Sequence, residues 1–114
     1  MAAGKLDLLV EQGTTYSQTL TWKIDGTAVN LTGYTAKMQA RTDVTSDSTI
    51  LALTQASGLT LGGSLGTIRI DLTAAQTAAL VPSNYVYDLE VTSGAGVVTR
   101  LVQGTFTVSA EVTR

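Results

Sequence analysis

The chain has 114 residues, of which 44% are hydrophobic and only 14% are charged, and its net charge at pH 7 is −2. This length predicts one domain spanning residues 1–114, and the hydrophobic fraction argues for a folded chain rather than a disordered one. There is no His and no Cys, which excludes disulfide bonds and removes the usual general base, thiol nucleophile and soft metal ligands.

The few charges are spread along the chain, with no cluster of three basic residues. We therefore expect no nucleic-acid binding, which requires concentrated positive charge. Charged residues come early, at Lys5 and Asp7, and no apolar run approaches the length of a membrane span, so neither a signal peptide nor a membrane partner is expected. A surface rich in Thr, Ser, Gln and Asn fits either a protein covered in an assembly or the high β-propensity of Thr.

Alternation of apolar and polar residues recurs along the chain, which is typical of half-buried antiparallel strands. The first strand is predicted over residues 6–10. The second is predicted over 16–24, with its even-numbered residues on one face, and ends at the Asp25-Gly26 pair, which favours a tight turn because it readily takes positive φ. Trp22 lies on the inward face of this strand and is predicted at the centre of the core.

The same alternation predicts the remaining strands, which are separated by Gly, Asn, Asp and Ser and by a solvated loop over residues 42–48. These strands are predicted over residues 34–41, 50–53, 59–61, 67–72, 85–91, 97–102 and 105–112. About eight short strands with frequent turns and no crossover helices favour a sandwich or a small barrel over a parallel sheet.

One Ala-rich segment, residues 73–80, departs from the alternation. Thr73 and Gln76 have the spacing of a capping box, so a short helical turn is predicted there, ended by Pro82. A helical turn followed by a Tyr, here Tyr85, is similar to the corner of immunoglobulin-like sandwiches, in which a Tyr hydroxyl bonds to upstream backbone. The sequence thus predicts an all-β, immunoglobulin-like antiparallel β-sandwich with one short helical turn near residues 73–80.

Carboxylates come closest to a chemical site. Asp43 and Asp47 share one polar loop, but a calcium loop also needs a Gly for its sharp turn and a closing Glu, and residues 43–47 have neither. Metal binding is therefore not predicted at this loop.

A second carboxylate pair, Asp88 and Glu90, lies on one face of a predicted strand. A glycosidase-like pair is one interpretation, since that chemistry uses two carboxyl groups a few ångströms apart. The favoured interpretation is a solvated face that pairs with Arg69 or Arg100 across the sheet.

The other candidate features are also better explained by structure. The Gly-rich segments 62–66 and 94–96 lack the Lys and the helix start of a phosphate loop and are predicted as hairpin turns. The aromatic residues are predicted in the core, with Tyr16 and Tyr34 also possible at the surface. We predict no catalytic, cofactor-binding or metal-binding residue, and no enzymatic activity.

The most specific feature of the sequence is the Asp25-Gly26 turn followed by the stretch VNLTG at residues 29–33. With this feature the chain resembles small structural proteins encoded by tailed bacteriophages, and the N-terminal domain of phage baseplate upper proteins. The resemblance spans almost the whole chain and implies a virion component with a sandwich fold and no enzymatic activity. It also includes residues 13–16, 20–23, 34–36, 66–68, 85–91 and 104–108.

The leading hypothesis is a tail or baseplate adaptor that docks on other virion structural proteins, with copies of itself as possible partners. A capsid decoration protein bound to the major capsid protein is the alternative within this class. A carbohydrate-binding module is the alternative outside it, and a carboxylate hydrolase is a remote third. The expected location is the virion, after assembly in the host cytoplasm, with which the absence of Cys is compatible.

The expected contact surface is a strand edge. The first strand, residues 6–11, and the last, residues 105–112, have little charge to protect them as edges of a sheet. We expect one of them, or residues 1–5, to be buried against a partner subunit by strand addition or packing.

Overall fold

A computed structural model describes residues 4–113, and the predicted role of residues 1–3 lies outside the described residues. The described part holds a succession of short strands and one short α-helix. In chain order these are β1 Gly4–Lys5, β2 Leu8–Glu11, β3 Tyr16–Thr21, β4 Lys23–Ile24, β5 Thr27–Ala28, β6 Thr35–Arg41, β7 Leu51–Thr54, β8 Leu59–Leu61, a 3-10 turn at Gly63–Leu65, β9 Thr67–Leu72, α1 Ala74–Ala78, β10 Ser83–Thr92 and β11 Val98–Ser109.

The strands form two sheets and one small hairpin. In the larger sheet the order is β1-β11-β10-β6-β7, with β2 beside β11 next to β1, and in the smaller sheet it is β3-β9-β8. The hairpin joins β4 and β5 through the predicted turn, where Asp25 has φ 52° and Gly26 has φ 80°. These two sheets, on either side of one core, make the molecule an immunoglobulin-like β-sandwich, so the predicted fold class is confirmed.

One pairing departs from the predicted antiparallel pattern, because β1 and β2 both run parallel to β11. Residues 12–15 carry the chain directly from β2 to β3, which belongs to the opposite sheet. Since β2 therefore cannot form a hairpin with its neighbour in sequence, it pairs with the C-terminal strand, in the same direction.

The core takes alternate residues from both sheets, as the period-two pattern predicts. Its largest fully buried side chains include Phe106, Met38 and Leu89 from the larger sheet and Ile68 and Ile70 from the smaller one. The other buried hydrophobic residues are Leu8, Val10, Leu31, Ala36, Ala40, Leu53, Leu59, Leu72, Leu80, Tyr85, Tyr87, Val91 and Val108.

Trp22 is not at the centre of this core, so that prediction is wrong. The side chain is only partly buried and packs at one end of the sandwich, where its ring meets Tyr34 edge to face with 6.3 Å between centroids. The cause is local. β3 ends at Thr21, and the Trp22 N–H bonds to the carbonyl oxygen of Gly66, the residue just before β9. Trp22 thus lies past the regular part of the sheet.

The predicted helical turn is confirmed, and α1 carries the predicted capping box. Thr73 Oγ1 accepts from the Gln76 N–H at 3.1 Å, and Gln76 Oε1 accepts from the Thr73 N–H at 2.8 Å. The Tyr85 hydroxyl donates to the Val81 carbonyl oxygen at 2.6 Å, which is the predicted tyrosine corner.

Three predicted strand boundaries are wrong. The segment 16–24 is broken into β3 and β4 at Trp22. The first strand, predicted over residues 6–10, begins only at Leu8 as β2, because the Asp7 carboxylate accepts the Thr105 N–H at 3.0 Å, and β1 lies before the predicted range. The two last predicted strands are one strand, β11, which passes through Gly104. A Cβ at position 104 would collide with the Leu6 carbonyl oxygen, so glycine permits the close approach of the N-terminal segment.

The placement of β11 also corrects the edge prediction. β11 has β10 on one side and β1 with β2 on the other, so residues 105–109 form an interior strand. The first strand is an edge, as predicted, but only as the four residues of β2. A sequence pattern gives the faces of a strand and not its neighbours, which is why the last strand was misplaced.

Candidate functional site

The loop with Asp43 and Asp47 does not form a cation site. Asp43 Oδ1 accepts from both the hydroxyl and the amide of Thr45, at 2.8 and 2.9 Å, and these bonds lower the pKa of the Asp43 carboxyl. The carboxylate therefore caps its own loop. Across residues 4–113 there is no group of three or more acidic side chains that could hold a metal ion.

Asp88 and Glu90 lie on the outer face of β10 and are part of a solvated surface. Asp88 Oδ2 lies 3.4 Å from Arg100 Nε on the neighbouring strand, which confirms the cross-sheet pairing for this residue. Arg69 belongs to the other sheet and pairs with Asp71 at 3.0 Å, so it is not a partner of either. With one carboxylate paired to a cation and both in contact with water, the pair lacks the buried acid of a glycosidase.

A shallow groove of about 440 Å³ crosses the outer face of the larger sheet. Its lining includes the cations Lys5, Arg41 and Arg100 against the single carboxylate of Asp88. The Arg41 guanidinium donates to Gln39 Oε1 and to the Ser46 carbonyl oxygen, at 2.9 and 2.8 Å. These bonds hold the Arg41 side chain along the sheet.

The feature most suited to docking is one end of the sandwich, formed by three turns that we call the loop end. It consists of the segment 22–34 with the β4–β5 hairpin, the turn at residues 62–66 between β8 and β9, and the turn at residues 93–97 between β10 and β11. The first two lie at one end because β3 ends where β9 begins, and the third lies beside them, since a Cβ on Gly94 would be 3.8 Å from the Gly33 carbonyl oxygen.

Backbone hydrogen bonds join two of the three turns of the loop end, the segment 22–34 and the turn 62–66. The Leu31 N–H donates to Gly63 O and the Trp22 N–H to Gly66 O, at 2.9 and 2.8 Å. Gly66 is buried with φ 70°, and a Cβ there would lie 2.8 Å from the Trp22 carbonyl oxygen, so only glycine fits this close approach. These contacts fix the segment 22–34 and the turn 62–66 to each other, while the turn 93–97 is closed by its own Ser93 N–H to Val97 O bond at 2.9 Å.

The loop end also gathers exposed apolar side chains. Of the eight large hydrophobic residues that are exposed among the described ones, three lie on it, Ile24, Leu65 and Val97, and Val98 follows directly at the start of β11. Leu65 is 67% exposed and Val97 63% exposed. This surface can therefore exclude water against another surface.

The aromatic side chains do not form an exposed platform. All of them are at least partly buried, and only Tyr16, Trp22 and Tyr34 keep partial contact with solvent. A sugar-binding module needs exposed aromatic faces, and these rings instead pack on the core. Within the described part of the chain, no helix has the length and apolar character needed to cross a bilayer.

Sequence reasoning missed the residues that fasten the chain ends and α1. Thr77 is fully buried, and its hydroxyl lies 2.7 Å from the Thr14 carbonyl oxygen, to which it donates. Tyr87, also buried, donates to the Leu6 carbonyl oxygen at 2.5 Å. Burial raises the pKa of both Tyr87 and Tyr16. No local signal marks these contacts, because their partners lie more than sixty positions away in sequence.

Fold and surface together define an immunoglobulin-like β-sandwich with exposed apolar side chains at its loop end. No protein-family model matches the sequence, and no curated protein matches it either.

Two solved structures are similar in fold to this chain. Domains 3–5 of the extracellular part of Drosophila OTK share 16% identity with a TM-score of 0.39, over 92% of this chain and 33% of that one. Murine CRIg shares 10% identity with a TM-score of 0.39, over 92% of each chain. The chain therefore spans about a third of the OTK fragment.

Proposed function

We propose that this protein is a non-enzymatic structural component of a tailed-phage virion, which docks on other virion proteins as a tail or baseplate adaptor. The phage context rests on the resemblance carried by residues 25–33 and the matching segments around them. The observation that carries the docking role is the set of exposed apolar side chains on the hydrogen-bonded turns of the loop end.

The loop end suits a protein partner for a physical reason. Burying exposed valine and leucine side chains is favourable by about 25 cal/mol for each Å² of apolar area removed from water. Two of the turns are already fixed by the bonds from Trp22 and Leu31, and the third is closed by the Ser93 N–H to Val97 O bond, so docking orders little additional backbone. The partner we propose is an apolar patch on a neighbouring virion subunit, because exposed apolar side chains are stabilised most by packing against other apolar groups.

The test is complementation of a phage that lacks the gene for this chain, with the amount of chain in purified particles measured by mass spectrometry. Leu65→Asp and Val97→Asp place a charge in the loop end at exposed positions, where the fold tolerates it. Each is expected to reduce the chain per particle by about tenfold, the effect of losing roughly 1.4 kcal/mol of binding.

Val81→Asp is the matched control. Val81 is 69% exposed, a fraction similar to the 67% of Leu65. It lies beyond α1, at the opposite end of the sandwich from the loop end. Particles with normal content of all three variants would contradict docking through the loop end. Particles that never contain the intact chain would contradict a virion role, and specific binding on a glycan array would then favour the carbohydrate-binding module.

In particles that do contain the chain, a reconstruction separates the remaining alternatives. Density for the chain at the tail or baseplate agrees with the proposal. Density on the outer surface of the major capsid protein would instead identify a capsid decoration protein.

A further inference from the structure

Each of the two sheets ends in a pair of edge strands, and one of these four edges differs from the rest. The edge beside β11 is divided between β1, with two residues, and β2, with four; β7 also has four residues and β8 has three, whereas β3 has six. At the end of β7, the Thr54 N–H bonds to Ser57 O in the following turn and is not free to pair with another chain. Short edges of this kind resist pairing with other chains, and β3 lacks that protection.

The hydrogen-bond pattern shows which groups of β3 are free. The strand pairs with β9 in an antiparallel register in which Leu20 faces Ile68, and the same register continues to Trp22 and Gly66, where the Trp22 N–H donates to Gly66 O. In an antiparallel pair only alternate residues bond to the partner, so the even-numbered residues of β3 bond to β9. The bonds of β9 are consistent with this assignment. Asp71, an odd-numbered residue of β9, donates its N–H to Gly58 O on the side of β8, so the even-numbered residues of β9 are the ones that bond to β3.

It follows that the backbone N–H and C=O groups of Ser17, Thr19 and Thr21 point away from β9. Among residues 4–113 no strand pairs with this side of β3. All three residues are exposed. The core-facing residues of the strand, Tyr16 and Leu20, are only partly buried because the smaller sheet ends there.

The edge carries no charge, no Pro and no Gly along the whole of β3. Charged residues and Pro are the usual means by which an edge avoids pairing. Absence of charge matters most for pairing with an identical strand, because a charge at the centre of such an edge would face its own copy. The nearest charge along the chain, Lys23, would lie opposite Thr15 of the other copy and not opposite itself.

We infer that β3 is a self-association edge, at which the β3 strands of two copies pair antiparallel about a two-fold axis through Thr19. Thr19 then exchanges both backbone hydrogen bonds with Thr19 of the second copy, and Ser17 bonds with Thr21 in the same way. The two three-stranded sheets become one six-stranded sheet, and the flanks of Tyr16 and Leu20 are covered. This deepens the proposed docking role by naming one contact as a second copy, on a surface separate from the loop end.

The test uses the purified full chain, in sedimentation equilibrium from about 1 µM to about 1 mM, a range that covers weak to moderate affinity. A monomer–dimer equilibrium is expected. Hydrogen exchange gives the finer measurement, because the amides of Ser17, Thr19 and Thr21 should become protected as concentration rises, while Gln18 and Leu20 are protected by β9 at every concentration.

Thr19→Glu is the diagnostic variant. In the monomer the new carboxylate lies opposite Arg69 on β9, a favourable neighbour, so the fold should be retained. In the dimer two glutamates face each other across the axis, and the dissociation constant should rise by about tenfold or more. Thr60→Glu is the control, since Thr60 also lies opposite Arg69, but on β8.

A wild-type chain that stays monomeric over the whole range would overturn the inference. So would a dimer in which Ser17, Thr19 and Thr21 exchange at the monomer rate, or one that Thr60→Glu weakens as much as Thr19→Glu does. Each result is independent of particle incorporation, so failure of the edge does not imply failure of the virion role.

Discussion

Tyr85 shows how much a single side chain contributes at the residue scale. Its ring is buried in the core, while its hydroxyl reaches the Val81 carbonyl oxygen four residues upstream. The bond fixes the bend that carries the chain from α1 into β10. The ring is held by packing and the bend by the hydroxyl, so removing only the hydroxyl separates the two contributions.

We expect Tyr85→Phe to lower the free energy of unfolding by about 1 kcal/mol, the usual net value of one hydrogen bond. The figure is not larger because Val81 is exposed and water can replace the lost donor. Chemical denaturation measures the change. Tyr34→Phe serves as the control, since the Tyr34 hydroxyl has no hydrogen-bond partner among residues 4–113, and an equal loss in both variants would contradict this account.

Individual residues were predictable where the signal was local. The Thr73 and Gln76 capping box and the Tyr85 corner could be read from nearby residues, because their partners are within four positions. Trp22 was misplaced because alternation assigns a face and says nothing of distance from the centre of the core. The role of Asp7 could not be predicted, since its partner Thr105 is 98 positions away.

At the scale of elements, α1 is held to the sandwich by one buried hydroxyl. Thr77 donates to the Thr14 carbonyl oxygen, in the connection between β2 and β3, and also lies 3.1 Å from the Ala74 carbonyl oxygen. The helix has only five residues, too few to be stable alone. Its place therefore depends on this bond and on the packing of Leu80.

Replacing Thr77 by Val keeps the size of the side chain and removes the donor. We expect Thr77→Val to lower the free energy of unfolding by about 1 to 2 kcal/mol, because the hydroxyl is fully buried and its acceptors lose their partner. Amide exchange of residues 74–80 should accelerate more than exchange in β9. Thr60→Val, at an exposed Thr whose hydroxyl bonds to no described residue, should change neither quantity, and an equal effect there would argue against the fastening role.

Strand positions were largely predictable, whereas strand partners were not. Alternation placed β6, β9 and β10 within one or two residues, because burial of one face is written directly in the sequence. The breaks between β1 and β2 and between β3 and β4 come from contacts with other strands. The free edge of β3 likewise depends on where β2 goes, since a β2 paired with β3 would have covered it.

At the scale of the whole molecule, the composition sets how stability depends on pH. With no His and no Cys, no side chain with an ordinary pKa titrates between the range of Glu and that of Tyr. The loop end could not be predicted from the sequence, since it is assembled from three turns that are far apart in sequence. The lack of His and Cys leads to a specific prediction of how stability depends on pH.

Stability should be constant across neutral pH and fall on both sides. The Thr105 amide and hydroxyl lower the pKa of Asp7, and the Thr45 bonds lower that of Asp43, so this stabilisation is present above the ordinary carboxyl pKa and is lost as pH falls below about 4. Burial raises the pKa of Tyr87 and Tyr16, because it favours the neutral phenol over the phenolate. The contribution of the buried neutral phenols to the free energy of unfolding is therefore fully present below about pH 10 and is lost as pH rises above that value.

Thermal melts at constant ionic strength from about pH 3 to about pH 11 measure this profile, and the Tm should vary by less than about 2 °C between pH 6 and 9. Asp7→Asn should flatten the acid limb, because a neutral side chain no longer loses stabilisation on protonation. Tyr87→Phe should lower the Tm at neutral pH, since the bond to Leu6 is lost, and should make the alkaline limb less steep. A change of several degrees between pH 6 and 9 would show that a group outside this account titrates on folding.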